Sequence, residues 1–366
     1  MNCRLFIYDL LKSALSEQDS YLNLKQVDFS DVFYLSLNQG VAGVAFQGLR
    51  KTMAIQRVEK KDLGSTVQVY DKWFAASASI ILHRDKILRL QSKLSSQFQK
   101  EGIRAIVLKG LSIANYYDDA QLRCFGDLDI YSPIDYQKID EILKLITPHL
   151  SIDYYRHSEC RVDGVMVENH RYLTDVRGQS RFYCLEKFLQ DEAFASLATM
   201  SETGLTYPNE NFTFIFFVYH ALSHFLYEKL SLKFLVDWCW MLKGRNEIRL
   251  DILDEKLEEY GLMHFAAAMT ALCVQRLGLQ EEFVSKGILD KIKSLSPSLI
   301  KRFEEDLFIS DYETFSSNSL KDRLKRGKEF YKKRWKIREF LGVSTSIFLL
   351  EKVYALLMHK FEIKEI

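Results

Sequence analysis

Proline is scarce in this chain: four residues (Pro133, Pro148, Pro208, Pro297) in 366, against about 18 at an average usage of ~5%. A sequence so poor in the residue that breaks helices, and so rich in amphipathic runs, reads as mostly helical. It has no Pro-rich or Gly/Ser-rich stretch to serve as a linker, so its parts are expected to pack closely. Cysteine is also sparse. The six, at positions 3, 124, 160, 184, 239 and 273, form no CxxC pair and match no zinc spacing. They read as reduced, mostly buried thiols, which points to a cytoplasmic protein. No window reaches 18 uninterrupted apolar residues, so no membrane span is predicted. The first residues lack an apolar core followed by a small-residue cleavage site, so no signal peptide is read. A charge imbalance is missing too: Lys+Arg number 50 and Asp+Glu 49, and any basic surface must be local. There is no Walker A loop, no GxGxxG and no GxSxG, which leaves P-loop, dinucleotide-binding and α/β-hydrolase readings without support.

What is present divides into three stretches. Residues 1–100 carry helical spacing, weakly over Asp28–Gly40 and strongly over Val67–Lys100, where Trp73, Ile80, Leu82, Ile87 and Leu90 recur mostly at threes and fours. The pattern then changes. Ile103–Leu108 is short, apolar and β-branched, as a buried strand is. Leu111–Tyr117 reads as a short helix, Leu128–Tyr131 as a second strand and Ile134–Ile146 as a helix. Ile152–Arg156 and Gly164–Glu168 read as further strands. From about residue 182 helical periodicity returns, rich in aromatics over Asn211–Phe225 and Leu230–Leu242. The predicted class is α+β, a small mixed sheet over residues 101–190 embedded between helical regions 1–100 and 191–366.

The chemistry concentrates in Arg123-Cys-Phe-Gly-Asp-Leu-Asp-Ile130. Side chains alternate faces along a strand, so Asp127 and Asp129 converge on one side while Leu128 and Ile130 point into the core. Two such carboxylates repel each other. A divalent cation removes that repulsion, and Mg²⁺ (or Mn²⁺) held there also takes phosphate oxygens. A lone Asp-x-Asp is more often a solvated strand edge; the neighbours shift the balance. Lys109-Gly110 ends the preceding strand, and Glu168-Asn-His170 sits on a following one, where the period of two puts Glu168 and His170 on one face. Glu168 is the expected third carboxylate, with Asp163 and Asp175 as alternatives. His170 is expected to touch phosphate or to orient a carboxylate.

These residues resemble the nucleotidyltransferase superfamily of the polymerase-β type. They are similar in particular to the bacterial uncharacterised nucleotidyltransferase family, with its Leu-Lys-Gly, Tyr, Arg and Asp-hydrophobic-Asp-hydrophobic pattern. Here the pattern reads Leu108-Lys109-Gly110, Tyr116 or Tyr117, Arg123 and Asp127-Leu128-Asp129-Ile130. The resemblance implies a small mixed sheet with helices on it, and Asp127, Asp129 and Glu168 as the metal-holding catalytic set. It also implies that Gly110 lets the backbone approach the triphosphate of an NTP, with ATP the expected one. Lys109, Ser112, Arg123 and His170 are read as further nucleotide-binding residues. The expected reaction moves a nucleoside monophosphate to an unidentified acceptor and releases pyrophosphate. The chain departs from the superfamily after Gly110, where Leu111 replaces the usual second Gly or Ser, and this leaves open a catalytically inactive, nucleotide-binding or membrane-peripheral accessory protein of the same fold.

Two other features stand out. The resemblance suggests that His220, in His-Ala-Leu-Ser-His224, and Asp237 line the cleft facing the sheet; the plain alternative is a buried pair tying helices together. Lys321–Arg338 holds ten Lys/Arg against two acids, interleaved with Phe330, Tyr331 and Trp335. A solvated helix face is the ordinary explanation. Contact with RNA, or with the inner face of a membrane, is the functional one.

Overall fold

The computed structural model describes residues 3–16, 24, 29–147, 149–176, 181–246, 248–309 and 320–362. Helices α1 (Cys3–Leu15), α2 (Phe29–Asn38) and α3 (Ala42–Ile55) precede a 34-residue helix, α4 (Val67–Lys100). The predicted start of α2, Asp28, falls outside the described residues. Strand β1 (Arg104–Val107), helix α5 (Gly110–Ala114), strand β2 (Asp127–Tyr131) and helix α6 (Tyr136–Ile146) follow. Three strands then run consecutively: β3 (Leu150–Tyr154), β4 (His157–Val162) and β5 (Val165–His170). After α7 (Arg181–Ala198) comes a short strand, β6 (Gly204–Thr206). The rest is helical: α8 (Glu210–Tyr227), α9 (Leu232–Gly244), α10 (Leu250–Glu259), α11 (Met263–Leu272), α12 (Lys286–Ser294), α13 (Pro297–Leu307), α14 (Leu320–Leu341) and α15 (Thr345–Glu362).

The predicted α+β class is what folds: a helix-rich chain around one mixed six-stranded sheet, ordered β3-β4-β5-β2-β1-β6. Two strands lie outside the sequence reading. One is β4, which closes a hairpin with β5 through Asp163-Gly164, both at positive φ (50° and 80°), as a two-residue hairpin turn requires. The other is β6, which pairs parallel to β1 from beyond residue 190.

One face of the sheet is apolar. Leu128, Ile130, Cys160, Val162, Val165 and Val167 pack against Ile87, Leu90, Leu94 and Phe98 of α4 and Ile139, Ile142 and Leu143 of α6. Those α4 positions recur at three and four residues, the stripe a helix needs to cover a sheet. Earlier on the same helix Trp73 is fully buried in a second, larger core. There α8, α9 and α11 are buried over most of their length, so α4 ties the two cores together. Each cysteine is unpaired, but only Cys160, Cys239 and Cys273 are buried, fewer than the composition suggested.

In α14 side chains are described from Tyr331 onward. Lys336, which the charge run placed among surface bases, is fully buried. Its ammonium donates to Asp306 at 2.5 Å and to the Phe225 carbonyl at 2.8 Å. At this one position the run anchors the helix to the core, while Lys332, Arg334 and Arg338 face solvent as a solvated helix face does. Among the described residues no helix is long and apolar enough to cross a membrane.

Candidate active site

The polar face of the sheet is built by register. Parallel pairing of β2 with β5 sets Asp127 opposite Met166, Asp129 opposite Glu168 and Tyr131 opposite His170. Antiparallel pairing of β5 with β4 then sets Glu168 opposite Glu159 and His170 opposite His157. Residues two apart on a strand share a face, so three strands bring their acids and histidines to one patch.

At its centre Asp129 is fully buried. Its Oδ1 accepts from Lys109 Nζ at 2.7 Å and from His170 Nε2 at 2.8 Å, while Oδ2 is buried without a hydrogen-bond partner among the described residues. Glu168 Oε2 lies 3.3 Å from His170 Nε2 and 3.8 Å from Lys109 Nζ. Ligand atoms of Asp129, Glu168 and His170 all fall within 4.8 Å of one another, and so do those of His157, Glu159 and Glu168. Asp127, the other half of the expected pair, lines the same cleft but lies outside both tight sets. Asp163 and Asp175 are engaged elsewhere, on Lys93 and on the Tyr155 hydroxyl.

The electrostatics separate the acids. Asp127 has its pKa pushed up by the charge of Asp129 first and by burial second, against the pull of Lys109 and Lys233. For Glu168 burial pushes up, but the His170 hydrogen bond and the charge of Lys109 outweigh it and hold the carboxyl at about 2. Burial works to lower the Lys109 pKa, yet Asp129, Glu168 and Asp127 together raise it. One lysine thus bridges Asp129 and Glu168, within the field of Asp127. Its backbone sits at φ 46°, ψ −112°, a region L-residues rarely occupy; such strain persists where the surroundings over-determine it, and it clusters at functional sites.

Facing the sheet, Asp237 of α9 is buried. Arg123 grips it with both arms of its fork, Nε to Oδ1 at 2.8 Å and Nη2 to Oδ2 at 2.9 Å, and Tyr117 donates to Oδ1 at 2.6 Å. Of the two candidate tyrosines it is Tyr117 that joins this network; Tyr116 packs edge-on against Phe214. Most of the Arg123 fork expected to reach phosphate is therefore spent on Asp237, in a buried pair that ties the loop before β2 to α9. The Arg123 Nη1 atom still lies 3.6 Å from where a Cβ on Gly110 would sit. That Cβ would meet only ordinary contacts and Gly110 has no positive φ, so nothing in the fold itself demands glycine there. Ser112 does not line the cleft; its hydroxyl donates to the Lys109 carbonyl at 2.8 Å. His220 does line it, beside His224 and Phe234, with a pKa driven far down by burial and by the charge of Lys109.

Between the sheet and α8–α9 lies a cleft of about 580 Å³, holding Lys109, Gly110, Asp127, Glu168, His170 and Asp237. It is of the size that takes a nucleotide-sized ligand. Three basic residues in its lining were not singled out from the sequence: Arg156, Lys229 and Lys233. A signal for Lys233 was there, since it precedes Asp237 by one helical turn and so shares its face. The β4 pair His157 and Glu159 escaped because β4 itself was not read, and Arg156 because it stood only as the last residue of a predicted strand.

The chain belongs to the uncharacterised nucleotidyltransferase family, whose profile spans residues 25–278. Both walls of the cleft fall inside that span, and membership carries nucleotidyl transfer as the general function. No curated protein and no solved structure matches the chain.

Proposed function

We propose that the cleft transfers a nucleoside monophosphate from an NTP to an acceptor hydroxyl or phosphate with the help of a divalent cation. The acceptor oxygen forms the new bond to the α-phosphorus, the bond from that phosphorus to the β-phosphate bridging oxygen breaks, and pyrophosphate leaves. One observation carries this reading: Asp129 Oδ2 is buried, and unpartnered among the described residues, in a patch where Asp129 and Glu168 already converge. An unsatisfied buried carboxylate oxygen is costly, and the oxygen-rich set suits a hard cation such as Mg²⁺ or Mn²⁺. Asp129 and Glu168 would hold it, with Asp127 completing the set from the mouth of the patch. A cation bound there binds phosphate oxygens and neutralises charge developing at the transferred group and the leaving group.

The protein's own groups do the rest. His170 orients Asp129 and Glu168 at once through Nε2, and such outer contacts fix the geometry of ligating carboxylates. Lys109 balances the carboxylates' charge. The Arg123–Asp237–Tyr117 network fixes α9 against the strand-to-helix turn at Gly110, where the small residue leaves room for a phosphate. The test is pyrophosphate release from each of the four NTPs with Mg²⁺ or Mn²⁺, using small alcohols, sugar phosphates and a protein hydroxyl as acceptors. Metal-dependent release that falls about a hundredfold or more in Asp129→Asn is expected. Nucleotide binding with no pyrophosphate release under any of these conditions would defeat the transfer reading.

A further inference from the structure

A triphosphate brings several negative charges into the cleft, and the cations expected to meet it are largely occupied. Lys109 is bonded to Asp129, and Arg123 to Asp237. Arg156 donates to the Leu173 carbonyl. Lys233 differs. It lines the cleft beside Asp127, and no acid lies within 4.0 Å of its ammonium and no hydrogen-bond acceptor is bonded to it among the described residues. Burial, together with the nearby charge of Arg123, lowers its pKa even though Asp237 and Asp127 pull the other way. A half-buried ammonium without a partner is a cost to the fold.

Its position is nevertheless built. The first turn of α9 is clamped to Gln39: Leu232 N–H donates to Gln39 Oε1 at 2.8 Å and Lys233 N–H to the Gln39 carbonyl at 3.2 Å, while Gln39 Nε2 donates to the Leu307 carbonyl at 2.9 Å. The aliphatic stem of Lys233 lies across Gly40, where an added Cβ would stand 3.4 Å from Cδ. Gly40 has φ 66°, so glycine there serves both the turn and the passage of the stem. The N-terminal helices thus carry a lysine of the C-terminal region to the mouth of a carboxylate patch on the sheet.

From this placement we infer that Lys233 is a phosphate-binding residue, which takes a phosphate group of the ligand opposite the carboxylates of β2 and β5. The inference rests on the nucleotidyl-transfer reading for the ligand's identity, but not for the anion site itself. Lys229, in the loop between α8 and α9, also lines the cleft without an acid partner among the described residues; it extends the positive wall. The phosphate can come from the triphosphate or from an acceptor.

Calorimetric titration of wild type, Lys233→Met and Lys233→Arg with the four Mg-NTPs, Mg-pyrophosphate, inorganic phosphate and a free nucleoside separates the cases. Loss of a charge-assisted contact weakens binding about tenfold or more. Lys233→Met is expected to lose that much for Mg-NTP and Mg-pyrophosphate but nothing for the nucleoside, while Lys233→Arg recovers most of the affinity. That pattern assigns Lys233 to the triphosphate. A loss confined to inorganic phosphate, measured on protein already saturated with NTP, assigns it to a phosphate on the acceptor. If wild type binds no NTP but still binds phosphate through Lys233, the anion site stands and the nucleotidyl-transfer reading falls. Equal affinities of wild type and Lys233→Met for every anion overturn the inference. A thermal melt guards against misfolding: since Met removes an uncompensated charge, the melting temperature of the ligand-free variant should not fall, whereas a structural role for Lys233 would lower it.

Discussion

The two walls of the cleft hold charge in opposite ways. On the sheet wall each acid at the centre has a neighbour, with Lys109 and His170 gathering Asp129 and Glu168 into one network. On the helical wall Asp237 is sealed by Arg123 and Tyr117, and two lysines, 229 and 233, have no acid partner among the described residues. On the proposed function one wall would receive a cation and the other an anion. A metal-bound nucleotide is both, which is why the contrast matters more than either wall alone.

The contrast breaks most completely at Asp129. Asp129→Asn removes the negative charge that holds Lys109 and His170 and takes away a ligand oxygen. Turnover is expected to fall about a hundred- to a thousandfold or more, and stability by about 3–5 kcal/mol, as when one partner leaves a buried ion pair. Asp127→Asn sharpens the comparison by parting the two effects. Turnover should collapse just as far, yet the metal-free protein should melt higher. The sign follows from the raised pKa of Asp127: its folded form favours the proton, so its charge opposes folding at neutral pH and a neutral amide relieves that. A lower melting temperature for Asp127→Asn would show that its charge is already compensated.

On the helical wall, Arg123→Met leaves Asp237 buried with only Tyr117 to bond it, and should cost about 3–5 kcal/mol in denaturant unfolding. Replacing both partners, Arg123→Met with Asp237→Leu, should return much of that stability without returning nucleotide affinity. Recovery of both would reduce the pair to packing.

The smallest effect is one of pH. Glu168 has a folded pKa of about 2 against an ordinary 4.5. Its contribution to stability is complete above about pH 4.5 and is lost as pH falls towards 2. Melting curves of wild type and Glu168→Gln should therefore converge across that window and differ by a constant amount above it.

How much of this was legible beforehand follows from the range of the interactions. Local periodicity is enough to mark α4, β1, β2 and β5 and to place Asp127, Asp129, Glu168 and His170 on strand faces. The Asp163-Gly164 turn advertised the β4–β5 hairpin as well, although the polar strand His157–Val162 hid it. What sequence spacing does not carry is register across strands. Only the β2–β5 pairing makes Asp129 and Glu168 neighbours and leaves Asp127 at the mouth. Nor does it carry the choice Arg123 makes between a phosphate and Asp237, 114 residues away. The three-residue β6 and the Gln39 clamp on Lys233 are likewise products of tertiary packing.

Nucleotidyl transfer in this cleft requires a cation at the Asp129–Glu168 patch. Crystals soaked in Mn²⁺ with a non-hydrolysable NTP and measured at the manganese absorption edge test it most directly. The predicted result is an anomalous peak within bonding distance of Asp129 Oδ2 and Glu168, with the phosphates directed toward Lys233. Manganese absent from that patch in nucleotide-bound crystals, with Lys109 still seated on Asp129, would contradict it.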